Sequence, residues 1–453
     1  MVVTAVETSD TSRRGGRRIF DPRHRWWWTV ASAAVVGVAI RFVYVLTTRR
    51  VAPQGGDAET YYQLGQGLAA GDGYVRPIEL GVFGESVPTA EFPPFWPTVL
   101  AVFDLLGIES RTGQRLMGSL IAATAIVLIG LLGRAIGGPA VGAVAAWISA
   151  VYPHFVVYGG SLLSEGVMLV LLTLVLLGVV RARSAPDEES AMRWWVTVSV
   201  AMAAAVMTRS EMLLLFVVLV VPAAWSSGDP RRRLRRLAAV GACTIVVVGG
   251  WTVRNLIALD GFVPLTNNSG TALAGSNCDA VYSGPQIGGW RLDCVPEGDY
   301  LGLGEVEVAR INRDAGLAYI GDHVGELPVV VAARLGRTFG VFDLDRTMFL
   351  GSLEDVDLDW LWAAWYGWVL LAPVAVAGAV LLHRRGGDLW PLLTPVVVVI
   401  AITVTTYGNL RFRVAAEPSA VVLSAYAIVA AWHRWSERGD ALSAQEHAPG
   451  GSL

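Results

Sequence analysis

The chain has 453 residues but contains no lysine, only three cysteines and few charged side chains of any kind. Without lysine, every argument from a permanent positive charge rests on arginine. Three cysteines allow at most one intrachain pair, which excludes a fold held together by many disulfides. Charged residues make up 16% of the chain, whereas apolar residues make up 54% and tryptophan occurs 17 times. This balance excludes an ordinary soluble domain and predicts an integral membrane protein.

Apolar runs recur along the whole chain, and we predict that each forms a transmembrane helix. About 20 apolar residues cross a bilayer, and tilted or shielded helices manage with fewer. No small-residue cleavage pattern follows the first run, so we expect that run to remain as a membrane anchor. The ten predicted spans are 26–46, 116–132, 140–151, 162–180, 194–207, 212–225, 237–253, 358–382, 389–405 and 414–432.

Clusters of arginine predict the orientation, because short cytoplasmic loops carry an excess of positive charge. Such clusters occur near the N-terminus, at 181–183, at 231–236, at 383–385 and in the C-terminal tail. Successive spans cross the membrane in alternate directions. With the arginine clusters in the cytoplasm, residues 47–112 and 256–357 lie outside and both termini lie in the cytoplasm. The alternation holds only if the run 95–107, which follows Pro93-Pro94, does not cross. We therefore predict an interfacial helix there, and a second, amphipathic one after Asp57.

This topology divides the chain into five parts. We predict a flexible cytoplasmic N-terminus (1–25), a catalytic membrane module (26–255) with the external loop 47–112, an extracytoplasmic segment (256–357), C-terminal transmembrane helices (358–434) and a flexible cytoplasmic tail (435–453). Cys278 and Cys294 both fall in the extracytoplasmic segment, so a disulfide between them is favoured over two free thiols.

Charged and polar side chains at the ends of the predicted spans gather at the external face. Charges cost free energy near a bilayer, so such a gathering indicates an aqueous pocket for a polar substrate. Carboxylates can activate a nucleophile, and arginines can bind a phosphate. For any one residue, solvation or pairing with a neighbour is the simpler explanation. For Glu165, complementing the dipole of its helix is the alternative. The set is Asp57, Glu59, Glu91, Arg115, His154, Glu165, Arg209, Glu211, Arg254, Asn255, Arg411, Arg413 and Glu417.

Several motifs resemble those of GT-C glycosyltransferases, and more narrowly those of the dolichyl-phosphate-mannose-protein mannosyltransferase family, which includes the bacterial lipid A aminoarabinose transferases. The motifs are Gly56-Asp57-Ala58-Glu59-Thr60-Tyr61-Tyr62, Glu91-Phe92-Pro93-Pro94, Gln114-Arg115-Leu116, Ser164-Glu165 and Thr252-Val253-Arg254-Asn255. Segments 277–285 and 410–418 look like actinobacterial members. Relatives often carry His or Lys before the paired prolines, whereas this chain has Glu91-Phe92.

The resemblance implies an all-α, GT-C-like bundle that transfers a sugar with inversion from a polyprenyl phosphate to an envelope glycan, lipid or protein on the external face of the plasma membrane. By likeness, Asp57 is the catalytic base, Arg115 lies near the site, and Glu165 faces it from a helix start. Because of their positive charge and their predicted location at the external face, we add Arg209, Arg254 and Arg411 as ligands of the donor phosphate. Candidates for binding the acceptor or supporting the site are Glu59, Tyr61, Glu91, His154, Asn255 and Arg413.

Partners follow from the same interpretation: the lipid-linked donor, the acceptor and membrane lipids, with no nucleic acid. We predict no metal, since arginines alone can hold a monophosphate donor, although Mg or Mn stays open as a cofactor. A transporter or lipid-linked sugar flippase is the main alternative. It is disfavoured because no internal repeat is present and the charges gather at one face. A noncatalytic partner in envelope assembly that keeps the fold is a third interpretation.

Overall fold

The structure is a computed structural model that describes residues 22–48, 56–226, 228–296 and 303–446. The predicted flexible stretches 1–21 and 447–453 lie outside these residues. Within them the chain is helical and forms no strand; one isolated bridge joins Val75 and Pro88. The helices are α1 (Pro22–Thr47), α2 (Gly56–Ala70), α3 (Phe95–Leu105), α4 (Arg111–Gly137), α5 (Pro139–Val151), α6 (Pro153–Gly159), α7 (Glu165–Arg183), α8 (Glu188–Val206), α9 (Met212–Leu215), α10 (Val221–Trp225), α11 (Pro230–Ala258), α12 (Asn268–Gly275), α13 (Asp279–Tyr282), α14 (Glu305–Asp322), α15 (Leu327–Phe339), α16 (Leu344–Ser352), α17 (Leu358–Arg384), α18 (Trp390–Thr405), α19 (Leu410–Arg413) and α20 (Glu417–Glu446).

All ten predicted spans are helical, but ten crossings are not confirmed. Among the described residues, five helices are long and apolar enough to cross a bilayer: α1, α4, α7, α11 and α17. A sixth crossing results if α5 and α6, which bend by 59° at Pro153, count as one. The other runs are shorter or carry charge. A π-helical turn, Phe216–Val220, separates α9 from α10, α18 has 16 residues, and α8 begins with Glu188 and Glu189.

Helix starts follow from capping side chains that satisfy otherwise unpaired backbone N–H groups. Ser110 accepts from the N–H of Gly113 at the start of α4, and Asp187 accepts from that of Ser190 at the start of α8. Asp229 and Asp357 cap α11 and α17 in the same way. The caps fix where polar loops end and membrane helices begin.

Small residues let the membrane helices approach closely. At Gly142 on α5, a Cβ atom would lie 2.5 Å from the carbonyl oxygen of Gly130 on α4. At Gly378 on α17, a Cβ would lie 1.9 Å from the carbonyl oxygen of Leu423 on α20. Only glycine fits such backbone contacts, which are typical of helix pairs in membranes.

The predicted interfacial helices are present as α2 and α3. At 11 residues α3 is about 16 Å long, too short to cross a bilayer. The indole N–H of Trp96 on α3 donates to the carbonyl oxygen of Leu162 at 2.7 Å, and the N–H of Phe95 donates to that of Met207 at 2.9 Å. These bonds fix the Glu91-Phe92-Pro93-Pro94 segment beside the starts of α7 and α9.

The segment predicted to be extracytoplasmic, residues 256–357, contains α12 to α16, and the predicted disulfide between Cys278 and Cys294 is confirmed. Two arginines, Arg334 and Arg337, lie on α15 of this segment. Both are buried and donate to backbone carbonyls, Arg334 to Ser276 at 2.7 Å and Arg337 to Ile287 at 2.8 Å. They hold loops of the segment together.

The last helix extends further than predicted. It continues through Glu446, past residue 435, where a flexible tail was expected to begin. Residues 437–446 contain mostly good helix formers, such as Glu, Ala and Leu, so the helix leaves the apolar span without a break.

Candidate active site

Glu165 is the point where the predicted charged residues meet. It is the first residue of α7 and is fully buried. Its Oε1 atom accepts hydrogen bonds from both Arg209, in the loop between α8 and α9, and Arg411, on α19. A buried carboxylate between two guanidinium groups fixes their positions, because breaking such contacts leaves an uncompensated buried charge.

Arg411 extends this cluster to the first external loop. Its Nη1 atom donates to Oδ2 of Asp57 at 2.6 Å and lies 3.4 Å from Oε2 of Glu354. Asn409 caps α19 and also donates to Glu354 at 2.9 Å. Asp57, the second residue of α2, thus meets a side chain that lies 354 positions later in the chain.

A cavity of about 360 Å³ opens onto this cluster. Its charged lining consists of Asp57, Glu91, Glu211, Arg209 and Arg411, and Tyr61, Phe92, Tyr407 and Phe412 add aromatic walls. Enclosure in the cavity, with Glu305 and Asp57 nearby, raises the pKa of Glu91 to about 7. Burial alone would lower the pKa of Arg411, but Glu165, Asp57 and Glu354 hold it well above its ordinary value. The site is therefore a polar chamber in which fixed positive charges and the partly exposed carboxylate of Asp57 lie side by side.

Known proteins share both sequence and architecture with the chain. The family model described as dolichyl-phosphate-mannose-protein mannosyltransferase matches residues 91–251, just over a third of the chain. The oligosaccharyltransferase of Archaeoglobus fulgidus in its apo form overlaps with a TM-score of 0.53 at 15% identity. Residues 91–251 of this chain are thus similar to that mannosyltransferase family, and the chain as a whole has the fold of the oligosaccharyltransferase. No curated protein sequence matches it.

The structural neighbours differ from this chain in length. The overlap with the apo oligosaccharyltransferase covers 93% of this chain but 52% of the neighbour, so the chain spans about half the neighbour's length. The same enzyme tethered to an acceptor peptide gives a TM-score of 0.54, with 15% identity. The ArnT protein of Cupriavidus metallidurans overlaps at 16% identity, covering 90% of this chain and 78% of its own, with a TM-score of 0.42, which is too low to support an argument.

Six of the residues to which the sequence assigned a role line the cavity or close it from the buried side. Asp57, Arg209 and Arg411 line it, and Glu165 holds the two arginines from the buried side. Tyr61 and Glu91 also line it, and the hydroxyl of Tyr61 lies 3.4 Å from that of Ser164. Of the three arginines chosen for their positive charge and predicted external location, Arg209 and Arg411 line the cavity.

Arg115 and Arg254 lie away from the cavity. Arg115 forms an ion pair with Asp355 at 2.6 Å, and Asp355 also accepts from the N–H of Leu162. Arg254 donates to the carbonyl oxygens of Thr89 and Tyr74, both at 2.7 Å. These bonds hold the loop that contains Tyr74 and Thr89, and that Arg254 binds the donor phosphate stays a prediction.

Glu59 and Asn255 have structural contacts. Glu59 accepts from Arg111 and from Gln63. It lies two residues from Asp57 on α2, and residues two apart on a helix do not share a face. Asn255 is buried and donates to the carbonyl oxygen of Val263 at 2.9 Å. Neither lines the cavity.

His154 and Arg413 belong to a separate buried cluster around Glu417. Nδ1 of His154 lies 2.7 Å from Oε2 of Glu417, and Nε of Arg413 donates to Oε1 at 2.7 Å. The cluster joins α6 to the start of α20. It explains why these charged residues occur in an apolar region without touching the cavity.

Sequence reasoning missed Glu354 and Tyr407. Glu354 lies just after α16 in the extracytoplasmic segment and reaches Arg411, and Tyr407 lines the cavity after α18. The pair Glu354-Asp355 stands directly before a transmembrane helix, which is the same signal that identified Glu165, but no motif marked it.

Metal ligands do not gather in the described part of the chain. Across those ranges no three His, Cys, Asp or Glu side chains converge as they would around a metal ion. Asp57 and Glu59, whose spacing resembles an acidic metal motif, point to different partners.

Proposed function

We propose that this protein is a membrane glycosyltransferase that moves one sugar from a polyprenyl monophosphate carrier to a hydroxyl group of an envelope acceptor, at the extracytoplasmic face. The observation that carries the proposal is the cavity itself, where the carboxylate of Asp57 lies beside the guanidinium groups of Arg209 and Arg411. Such an arrangement offers a base and an anion site within one polar chamber.

The reaction needs one proton transfer and one substitution. Asp57 takes the proton from the acceptor hydroxyl, whose oxygen forms a bond to the anomeric carbon of the sugar. The bond from that carbon to the phosphate oxygen breaks, and its electron pair stays on the phosphate, giving polyprenyl monophosphate. Attack opposite the leaving group inverts the anomeric carbon. Arg209 and Arg411 stabilise the charge that develops on the phosphate.

An apolar groove next to the cavity supports a lipid donor. The groove has a volume of about 440 Å³ and shares Ser210, Glu211, Ile402 and Thr405 with the polar cavity. Beyond them it is lined by Leu213, Leu214, Val217 and Ala401. A polyprenyl chain in this groove would bring its phosphate to Arg209 and Arg411. The Archaeoglobus fulgidus neighbour has been solved with a dolichol-phosphate.

A second polar cavity supports a hydroxyl-bearing acceptor. It has a volume of about 310 Å³ and shares Glu91 and Asn268 with the first cavity. Its other lining residues include Thr60, Gln63 and Asn267, whose hydroxyl and amide groups can both donate to and accept from sugar hydroxyls. Helix α2 reaches both chambers, with Asp57 in the first and Thr60, one turn later, in the second.

A transfer assay tests the proposal. The purified protein is incubated with radiolabelled polyprenyl-phosphate mannose or, separately, polyprenyl-phosphate arabinose, with membrane extract as the acceptor source. We expect label to reach the acceptor with wild type and a loss of at least about a hundredfold with Asp57→Asn, the range for removing a general base. Glu59→Gln, on the same helix but outside the cavity, serves as the matched control and should retain transfer.

Two outcomes would count against the proposal. Full transfer by a normally folded Asp57→Asn variant would remove Asp57 from the role of base. No transfer by wild type from a widened panel of intact lipid-phosphate sugars would favour the transporter or assembly interpretation. We also propose that no metal is needed, so a chelator should leave the wild-type rate unchanged.

A further inference from the structure

The arginine that faces the cavity is already paired with the proposed base. Nη1 of Arg411 lies 2.6 Å from Oδ2 of Asp57, while Nε is held by Glu165 on the buried side. A donor phosphate that approaches Arg411 therefore meets the carboxylate of Asp57 at the same nitrogen. The two anions compete for one donor.

The partners of Arg411 in the described residues differ in how freely they can leave. The side chain of Glu165 is 1% exposed and also holds Arg209, so it is fixed. The side chain of Glu354 is 28% exposed and lies farther away, at 3.4 Å. The side chain of Asp57 is 38% exposed and stands in the first turn of α2. Asp57 is thus the partner that water can replace at least cost.

The balance of charge in the cavity also indicates that a carboxylate must leave when an anion binds. Arg209 and Arg411 are surrounded by Asp57, Glu165, Glu211 and Glu354, so carboxylates outnumber guanidinium groups. An anionic ligand enters such a site only if it takes over a hydrogen bond that a carboxylate holds, since like charges at close range repel.

We propose that Asp57 occupies the phosphate position on Arg411 in the empty enzyme, and that the donor phosphate displaces it. The inference rests on the proposed function, because the displaced carboxylate is the proposed base. While Arg411 holds Asp57, Oδ2 of the carboxylate is occupied by the guanidinium group. Once the phosphate takes Nη1, Asp57 loses this partner, and Oδ2 is free to accept the hydrogen bond of the acceptor hydroxyl. Loading of the donor thereby frees the base.

Equilibrium binding tests this without any turnover. The full chain is reconstituted in nanodiscs and titrated with a polyprenyl monophosphate, and separately with the polyprenol of equal length. Asp57→Asn removes the competing charge, so we expect it to bind the monophosphate about tenfold more tightly than wild type, the size of one charge-assisted hydrogen bond exchanged. Polyprenol affinity should stay the same in both proteins.

Two control variants separate competition at Arg411 from a general change of charge. Glu59→Gln removes a carboxylate of the same helix that pairs with Arg111, and it should bind like wild type. Glu211→Gln removes a carboxylate that lines the same cavity but pairs with Arg209, and its gain should be at most about threefold, as expected for a screened neighbour. Equal gains for Asp57→Asn and Glu211→Gln would overturn the proposal in favour of simple electrostatics.

A double variant tests whether the effect of Asp57→Asn depends on Arg411. In an Arg411→Gln background, Asp57→Asn should no longer tighten binding, because the contested nitrogen is gone. If the Arg411→Gln variant does not fold, the single-variant comparison decides. Unchanged or weaker binding by Asp57→Asn, with wild type preferring the monophosphate over the polyprenol, would refute the displacement while leaving the proposed function intact. No preference of wild type for the monophosphate would instead refute the proposed function.

Discussion

At the scale of single residues, the contacts of Arg411 separate an anchor from a working group. Glu165 is enclosed and binds two arginines through one oxygen, whereas Asp57 is partly exposed and binds one. The first arrangement suits a residue that sets the position of the arginines. The second suits a residue that must exchange partners during a reaction.

Replacing the anchor should affect both stability and binding. In Glu165→Gln the two buried guanidinium groups lose their shared negative charge, so we expect the free energy of unfolding to fall by about 3 kcal/mol. We also expect weaker binding of polyprenyl monophosphate. Thermal unfolding in detergent and the binding titration measure both effects. Glu59→Gln breaks a more exposed pair with Arg111 and should cost at most about 1 kcal/mol; an equal loss in the two variants would contradict the assignment.

Glu91 should make stability depend on pH. Its pKa is raised in the folded protein to about 7, above the ordinary value of 4.5. Below pH 4.5 the carboxyl is neutral in both states, and its stability contribution is fully present. As pH rises to 7 and above, the unfolded state releases the proton more readily, so this contribution is lost. Glu91→Gln lacks the effect, so its melting temperature should exceed that of wild type by more at pH 8 than at pH 5. A constant difference would show that Glu91 has an ordinary pKa.

That these residue types gather at one end of the helices could be predicted from sequence, but their pairing could not. The charges of Arg209 and Arg411 next to apolar runs were sufficient to place them at one face. Arg254 satisfies the same rule, yet its partners are backbone carbonyls of Tyr74 and Thr89, which no charge pattern reveals. Glu354 was missed for the opposite reason, because its role depends on Arg411, 57 positions later.

At the scale of helices, the periodicity and length of the apolar runs predicted which segments form helices. They were a poorer guide to which of these helices are long enough to cross the membrane. Every apolar run forms a helix, and the short helix α3 lies where a non-crossing segment was required. The bend at Pro153 and the π-helical turn at Phe216–Val220 were not predicted, although a proline commonly marks such a break. Counting apolar runs therefore predicted ten crossings. The length and composition of the helices among the described residues give five or six.

Close packing of α17 on α20 gives a prediction at this scale. Gly378→Ala places a Cβ atom against the backbone of Leu423, so we expect a loss of about 1–3 kcal/mol in the free energy of unfolding. Gly249→Ala on α11 is the matched control, because its Cβ meets nothing within 4 Å and alanine favours a helix. Melting temperatures of the two variants measure this. A stable Gly378→Ala variant would mean that the two helices pack less tightly than described.

At the scale of the whole molecule, two sets of ion pairs lie at opposite ends of the helices. Glu165 begins α7 at the cavity, and Arg183 ends it beside Asp388. Arg236 pairs with Glu188 at that second end. The cavity end is acidic and closed over by the disulfide-containing segment, and the other end is rich in arginine, which favours a cytoplasmic location for it.

Cysteine labelling tests this orientation. Gly321→Cys on α14 and Ser184→Cys after α7 are introduced separately into a Cys243→Ala background that keeps the native disulfide. Both positions are exposed, and the predicted topology places them on opposite sides of the membrane. A membrane-impermeant thiol reagent should label Gly321→Cys on intact cells and Ser184→Cys only after permeabilisation. The reverse pattern would invert the topology and place the cavity in the cytoplasm.

The most direct test of the central claim follows the fate of both halves of the donor. A polyprenyl-phosphate sugar that carries one radiolabel on the sugar and another on the phosphorus is incubated with the purified protein and acceptor extract. Our account predicts that the sugar label moves to the acceptor with inverted anomeric configuration, while the phosphorus label stays in the lipid phase as polyprenyl monophosphate. Transfer of both labels together, or no separation of the two with a folded protein, would contradict it.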